Sequence, residues 1–163
     1  MCCRLKLSLN SSKTEFLLIG LTNQLVKIRN SSLNTTHSAR NLSFIFDNHL
    51  TFSNQISSVS KSCYYHMHQL RCIHPYLDSK TASTIATSIV HSKLDYCNYL
   101  YHNLPKFQIA RLQQIQNSCA RTGVKAPNTR HISPNLRSLH WLKITERIEY
   151  KLLSLTYKVH TTT

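Results

Sequence analysis

The sequence predicts an α+β protein in which a short strand region is followed by a mainly helical bundle. Three observations predict it. Residues 10–50 hold short β-branched and aromatic runs separated by polar, turn-forming stretches. From Thr51 onward the apolar residues recur at spacings of three and four, which is the period of a helix. The 163 residues include 2 glycines, 4 prolines and 41% hydrophobic residues, which excludes a collagen-like or wholly disordered chain. The expected divisions are a strand region over 1–50, a helical region over 51–122, and a basic loop with a C-terminal helix over 123–163.

Taken in order, the runs Lys13–Ile19, Leu25–Ile28 and Leu42–Phe46 read as three short strands. Gly20, Asn23 and the polar stretch Asn30–Ser38 separate them, and Asp47-Asn48 turns the chain out of the last. Phe52, Ile56, Val59, Cys63, Met67 and Leu70 then mark one face of a first helix, closed by Pro75. A second helix starts at the Asp78-Ser79 cap signal and carries Ala82, Ile85, Ala86, Ile89, Val90, Leu94 and Cys97 on one side. A third follows Pro105 with Phe107, Leu112, Ile115 and Cys119. Gly123, Pro127 and Pro134 make Thr122–Pro134 a loop, and a last helix after a Thr145 cap turns Ile148, Leu152, Leu155 and Val159 inward.

Charge is the strongest compositional signal. Twenty Lys and Arg against six Asp and Glu give +14, with 10 histidines in addition. Such a chain seeks polyanions, and nucleic acid is the commonest. Residues 104–163 hold ten basic and two acidic groups against ten and four in residues 1–103, so the last third is the denser electrostatic footprint. The N-terminus alternates polar and apolar residues and offers no signal peptide, and the longest apolar stretch, Phe16–Ile19, is far too short for a membrane span. An intracellular protein, nuclear or cytoplasmic and not secreted, is expected. Its six cysteines (Cys2, Cys3, Cys63, Cys72, Cys97 and Cys119) then read as free thiols. Asn10, Asn30, Asn34 and Asn41 stand in glycosylation-type triplets that reflect a Ser/Thr-rich composition.

Several chemistries are not expected. Two-metal phosphoryl transfer needs tightly clustered carboxylates, whereas Asp47, Asp78 and Asp95 are isolated and Glu146 and Glu149 sit among Arg147 and Lys151. There is no P-loop, Gly-x-Gly fingerprint, nucleophile elbow or His-Glu-x-x-His helix. Cys63, His66, His68, Cys72 and His74 cluster, but without a Cys-x-x-Cys pair or the spacing of a common zinc module, so no metal is expected. Cys119 falls on a core-type position with nothing to orient it as a nucleophile.

The runs Leu7-Ser-Leu-Asn-Ser-Ser-Lys-Thr-Glu-Phe-Leu-Leu-Ile-Gly20 and Ala39-Arg-Asn-Leu-Ser-Phe-Ile-Phe-Asp-Asn-His-Leu-Thr-Phe52 are more specific. They resemble successive motifs of the reverse transcriptases of non-LTR retrotransposons, or LINEs, of the jockey and chicken-repeat type. The resemblance continues in order through Ile56–Cys63, Ser92-Lys-Leu-Asp-Tyr-Cys-Asn98, Leu112–Ser118, Leu139-His-Trp-Leu142 and Arg147-Ile-Glu-Tyr-Lys-Leu152. It implies that residues 1–50 are a palm remnant ending in a primer-grip-like hairpin and that a thumb-like helical region follows. In that family the metal-binding aspartates lie upstream of the Leu-x-Leu-Asn-x-x-Lys-Thr run. Met1 falls between the two places, so no polymerase centre is expected here, and magnesium only in the full-length family enzyme.

By the same resemblance, Lys13 would lie near an incoming nucleotide and aid pyrophosphate departure, a role that is empty without the metals. Alone, Lys13 reads as an exposed strand-end charge. Ser43, Phe44, Ile45, Phe46 and Asp47 would approach a primer end. Glycine is common in the family where Ser43 stands, which matters if the backbone there needs positive φ. The family often has proline where Lys143 stands and arginine-rich sequence around Cys72-Ile-His74. Arg-to-Cys and Arg-to-His changes are what decay of methylated CG dinucleotides leaves, so a degenerating element copy is expected.

The function expected is therefore a truncated reverse transcriptase, non-enzymatic alone, with residual non-specific nucleic-acid binding. Lys61, Lys93, Arg111, Arg121, Lys125 and Arg130 are the candidate phosphate contacts, and Trp141 could stack on a base. A lone tryptophan between Leu139 and Leu142 is more often a core anchor. The alternatives are a relic without function and a helical interaction module, with self-association through an unpaired palm edge.

Overall fold

The computed structural model describes residues 14–20, 35–127 and 131–162. The chain divides into two compact units, Met1–Phe52 and Ser53–Thr163, each described here by itself. The fold is α+β, with two two-stranded sheets and five α-helices among the described residues.

In the first unit, β1 (Phe16–Leu17) pairs in parallel with β2 (Thr35–Thr36), and β3 (Ser38–Asn41) forms an antiparallel hairpin with β4 (Phe44–Asp47). Pairing of Asn41 with Phe44 leaves Leu42 and Ser43 as a two-residue turn, with φ of 45° and 71°. Positive φ at both central residues is the type I′ arrangement, whose twist matches that of the flanking strands. The expected strand thus starts two residues late: Leu42 stands in the turn and is exposed, and Ser43 does need the conformation that favours glycine. The polar stretch before it also supplies β2 and the first residue of β3, pairing that apolar patterning cannot reveal. The expected strand Leu25–Ile28 lies outside the described residues.

Phe44 and Phe46 share one face of β4, and Phe52 folds back onto them, with ring centroids 4.9, 5.5 and 6.2 Å apart. Asp47 fixes that return. Its carboxylate accepts from the backbone N–H of His49 (3.2 Å), Thr51 (2.9 Å) and Phe52 (2.7 Å) and from the Thr51 hydroxyl (3.2 Å). Burial pushes the Asp47 pKa up, but these bonds favour the charged form more and hold it below the usual value.

The second unit is built on α1 (Ser53–Ile73) and α3 (Lys106–Gly123), with α2 (Ser79–Ile89) packed on both. Gln108 donates to Ser53 at one end of the α1 and α3 pair and Arg71 to Thr122 at the other, so the two helices run parallel. Ile56, Val59, Cys63, Met67 and Leu70 on α1 and Leu112, Ile115 and Cys119 on α3 are buried, as the helical spacing requires. Asp78 caps α2 by accepting from the Thr81 N–H at 3.0 Å. Gly123 admits α2 closely, since a Cβ there would stand 2.7 Å from that of Ala86.

Several expected details differ. The second helix changes to a π turn over Val90–Leu94 and then a 3₁₀ turn over Asn98–Tyr101, with Cys97 left-handed between them. Phe107, on the first turn of α3, is 71% exposed. The loop over Thr122–Pro134 is shortened from both sides: α3 continues through Gly123, and α4 (Ile132–Ser138) holds Pro134 in its first turn, where a missing N–H costs nothing. Residues 123–163 are no separate body, because α4 and α5 (Ile144–Thr162) pack on α3. Helix α5 starts before Thr145, with Glu146 accepting from the Lys143 N–H at 2.8 Å. Gln113 and Gln116 of α3 hold that start through the Ile144 N–H and the Leu142 carbonyl. Ile148 is buried and Leu152 half-buried, but Leu155 and Val159 are exposed, since the second half of α5 runs past the bundle. No helix among the described residues is long and apolar enough to cross a membrane.

Candidate nucleic-acid interface

Helix α3 ends in a Schellman motif. The Val124 N–H bonds to the Ala120 carbonyl and the Ala126 N–H to the Arg121 carbonyl (3.0 Å), with Lys125 left-handed at φ 52°. This is the position glycine usually fills, and the reversal lays Lys125 over the parallel end of α1. There an open cavity of about 470 Å³ is lined by Arg71, His74, Arg121, Thr122 and Lys125, closed at its sides by Pro75, Ala126 and Pro127.

The cations are held by different means. Arg71 is exposed and is oriented by its Nε–H donating to Thr122 Oγ1 (3.3 Å), while the Thr122 hydroxyl donates to the Ser118 carbonyl (2.9 Å). Arg121 is half-buried, and its Nε is buried with no hydrogen-bond partner, as is His74 Nε2. None of the carboxylates lines the cavity; the ion pairs of the described residues both use Asp95, elsewhere in the unit. Three positive charges therefore line one open space without a counter-charge. Their mutual repulsion is relieved by binding an anion, and a phosphate backbone supplies anions in series.

Of the residues singled out from sequence, Arg121 and Lys125 meet in this cavity. Lys61 and Arg111 lie on the other half of the α1 and α3 pair, where Arg111 donates to Ser57 Oγ at 3.4 Å. From Ser57 to Arg71 the helical rise amounts to roughly 20 Å. Lys93 is half-buried in the π turn, where its charge adds to the Cys119 hydrogen bond that chiefly draws the Cys63 thiol down against burial. Arg130 and Lys13 lie outside the described residues. Trp141 corrects the stacking expectation: it is 7% exposed, packed as the residue after the left-handed His140 in a second Schellman motif, with its backbone N–H bonded to the Leu136 carbonyl at 2.8 Å. No ring face is left for a base. In the hairpin, Phe44 and Asp47 are buried and Ile45 and Phe46 half-buried, so the exposed member of the primer-grip-like set is Ser43.

Sequence reading missed Arg71, and it weighed His74 only within the Cys/His cluster considered for metal. Among the described residues, no three His, Cys, Asp or Glu side chains converge to hold a metal ion. Cys63 and Cys119 are instead fully buried and hydrogen-bonded to each other, and that bond with burial pushes the Cys119 thiol up. Comparison of the chain with protein-family models, with curated proteins and with solved structures gives no match.

Proposed function

We propose that the chain derives from the RNA-directed DNA polymerase of a LINE-type retrotransposon and retains a sequence-indifferent, salt-sensitive grip on nucleic-acid backbones, without a polymerase centre of its own. The observation that carries this is the convergence of Arg71, from the end of α1, with Arg121 and Lys125, from the end of α3, on one cavity with no acidic group. Lys125 adds weight. A lysine at a left-handed helix terminus is strained relative to glycine, and a strained residue held at a charged cavity points to use rather than to folding. The carboxylates support the non-enzymatic part: Asp47 ties the hairpin, Asp78 caps α2, Asp95 pairs with His91 and Arg147, and Glu146 caps α5.

The test is the affinity of the full chain for a single-stranded oligonucleotide. Arg121→Gln with Lys125→Gln is compared with Lys80→Gln with Lys158→Gln, which removes equal charge elsewhere. The cavity pair is expected to weaken binding roughly tenfold more than the control pair. Equal losses would reduce the cavity to a share of net charge and refute the assignment.

A second reading has its own observation. Leu153, Tyr157 and Val159 on the overhanging half of α5 are 70%, 70% and 67% exposed, which favours a helix-mediated association. Sedimentation of the chain with and without Leu153→Ser and Val159→Ser tests it, and a monomer in both cases removes it.

A further inference from the structure

The charge of the first cavity, at the parallel ends of α1 and α3, is gathered in one place. A volume of about 470 Å³ is that of a sphere about 10 Å across, close to the Debye length of about 8 Å at physiological salt, so the charges that line it act together on whatever enters. On both helices the next cation stands ten residues back, Lys61 before Arg71 on α1 and Arg111 before Arg121 on α3. Ten residues are roughly 15 Å of helical rise, and no lysine or arginine fills either interval. A second cavity of the same unit, about 380 Å³, sets Asp95 beside Arg147 and Lys151, whereas the first holds cations without a carboxylate.

Two of the three cations are accessible and uncommitted. Arg71 is exposed and uses only Nε, on Thr122 Oγ1; its two terminal nitrogens donate to no group among the described residues. Lys125 is exposed too, and its ammonium has no partner among them. The Thr122 hydroxyl donates to the Ser118 carbonyl, so it orients Arg71 without competing with it for a ligand. Arg121 completes the lining from a half-buried position. A guanidinium fork takes two oxygens of one phosphate, and an ammonium meets a further oxygen as a point charge. An internal phosphodiester has one negative charge and two free oxygens. A terminal phosphate monoester has about 1.5–2 negative charges at pH 7 and three free oxygens, which suits a cluster of three cations better than one link of a chain does. A strand gripped along its backbone calls instead for a groove of cations that tracks it.

We propose that the first cavity takes the phosphorylated end of a nucleic-acid strand, its terminal phosphate monoester meeting Arg71, Arg121 and Lys125. The inference rests on the nucleic-acid reading above and deepens it by naming the group that enters. Pro75 and Pro127, at the sides of the cavity, have no backbone N–H and offer apolar surface beside the terminal sugar.

The experiment is binding of the full chain to one oligonucleotide in three forms, with a 5′-phosphate, with a 3′-phosphate and with hydroxyls at both ends, at one salt concentration. At least one phosphorylated form is expected to bind roughly tenfold tighter than the hydroxyl form, and which one does so tells which end enters. Inorganic phosphate should erase that preference in the unmodified chain, while chloride at equal ionic strength leaves it. Arg71→Gln with Lys125→Gln, both at exposed positions, should bring the ratio to one. Equal binding of the three forms, with salt dependence intact, overturns this proposal and leaves the backbone reading standing. No binding of any form overturns both. A preference that outlasts the paired variant, or that inorganic phosphate lowers no more than chloride does, also overturns it, because the strand end is then held elsewhere.

Discussion

Replacing Lys125 by glycine should make the protein more stable and a poorer binder at once. Lys125 stands at the left-handed position of the motif that ends α3, with φ 52°. That conformation costs an L-residue about 1–2 kcal/mol, and glycine escapes it. Glycine returns about 0.5–1 kcal/mol of this through its greater freedom in the unfolded chain. The net expectation is a gain of about 0.5–1 kcal/mol, or a few degrees in Tm for a chain of this size. The same change removes one of the three cations of the first cavity, so the slope of log affinity against log salt for a single strand should fall by about 0.7. Thermal denaturation and a salt titration read the two effects separately. Lys125→Ala separates them further, since it removes the charge but keeps the strain: binding should weaken with no gain in stability. A Lys125→Gly protein that is no more stable would refute the strain argument, and one that binds with an unchanged slope would refute the assignment of Lys125 to the interface.

Three other outcomes are expected. Ser43→Gly, at φ 71° in the hairpin turn, should stabilise the first unit by about 0.5–1 kcal/mol, seen as slower hydrogen exchange at the Phe52 amide. Asp47 has a folded pKa below its ordinary value, so its stabilisation is complete above about pH 4 and is lost as pH falls through the folded value. Asp47→Asn should cost about 2 kcal/mol at neutral pH and abolish that acid sensitivity, again by exchange at the amides of Thr51 and Phe52. Gly123→Ala should destabilise by about 1–3 kcal/mol, because its Cβ would stand 2.7 Å from that of Ala86. Adding Ala86→Gly should recover part of the loss in a denaturant titration.

The helical half was legible because burial imposes a period. Ile56, Val59, Cys63, Met67 and Leu70 are on the buried face that their spacing marks, and Asp78 caps α2 as its position before Ser79 suggests. What failed depended on where neighbours stop. Leu155 and Val159 continue the α5 period but run past the bundle, and Phe107 precedes the point where α3 meets its partners. The strand region was less legible because β2 and β3 are polar and are defined by backbone pairing, and because Leu42 has the composition of a strand in the geometry of a turn. For the first cavity, Arg121 and Lys125 were visible as charge. Arg71 became visible only when the parallel packing of α1 and α3 brought their ends together. Asp95 pairs with Arg147, yet nothing in one dimension says that these two residues meet.

The most direct test of the central claim is the salt dependence of single-strand binding by the chain and by its Arg71→Gln, Arg121→Gln, Lys125→Gln variant. If these three side chains grip phosphates, the slope of log affinity against log salt should fall by about 2, close to 0.7 for each contact removed. An unchanged slope in a folded variant would contradict the claim and place the interface elsewhere on the protein.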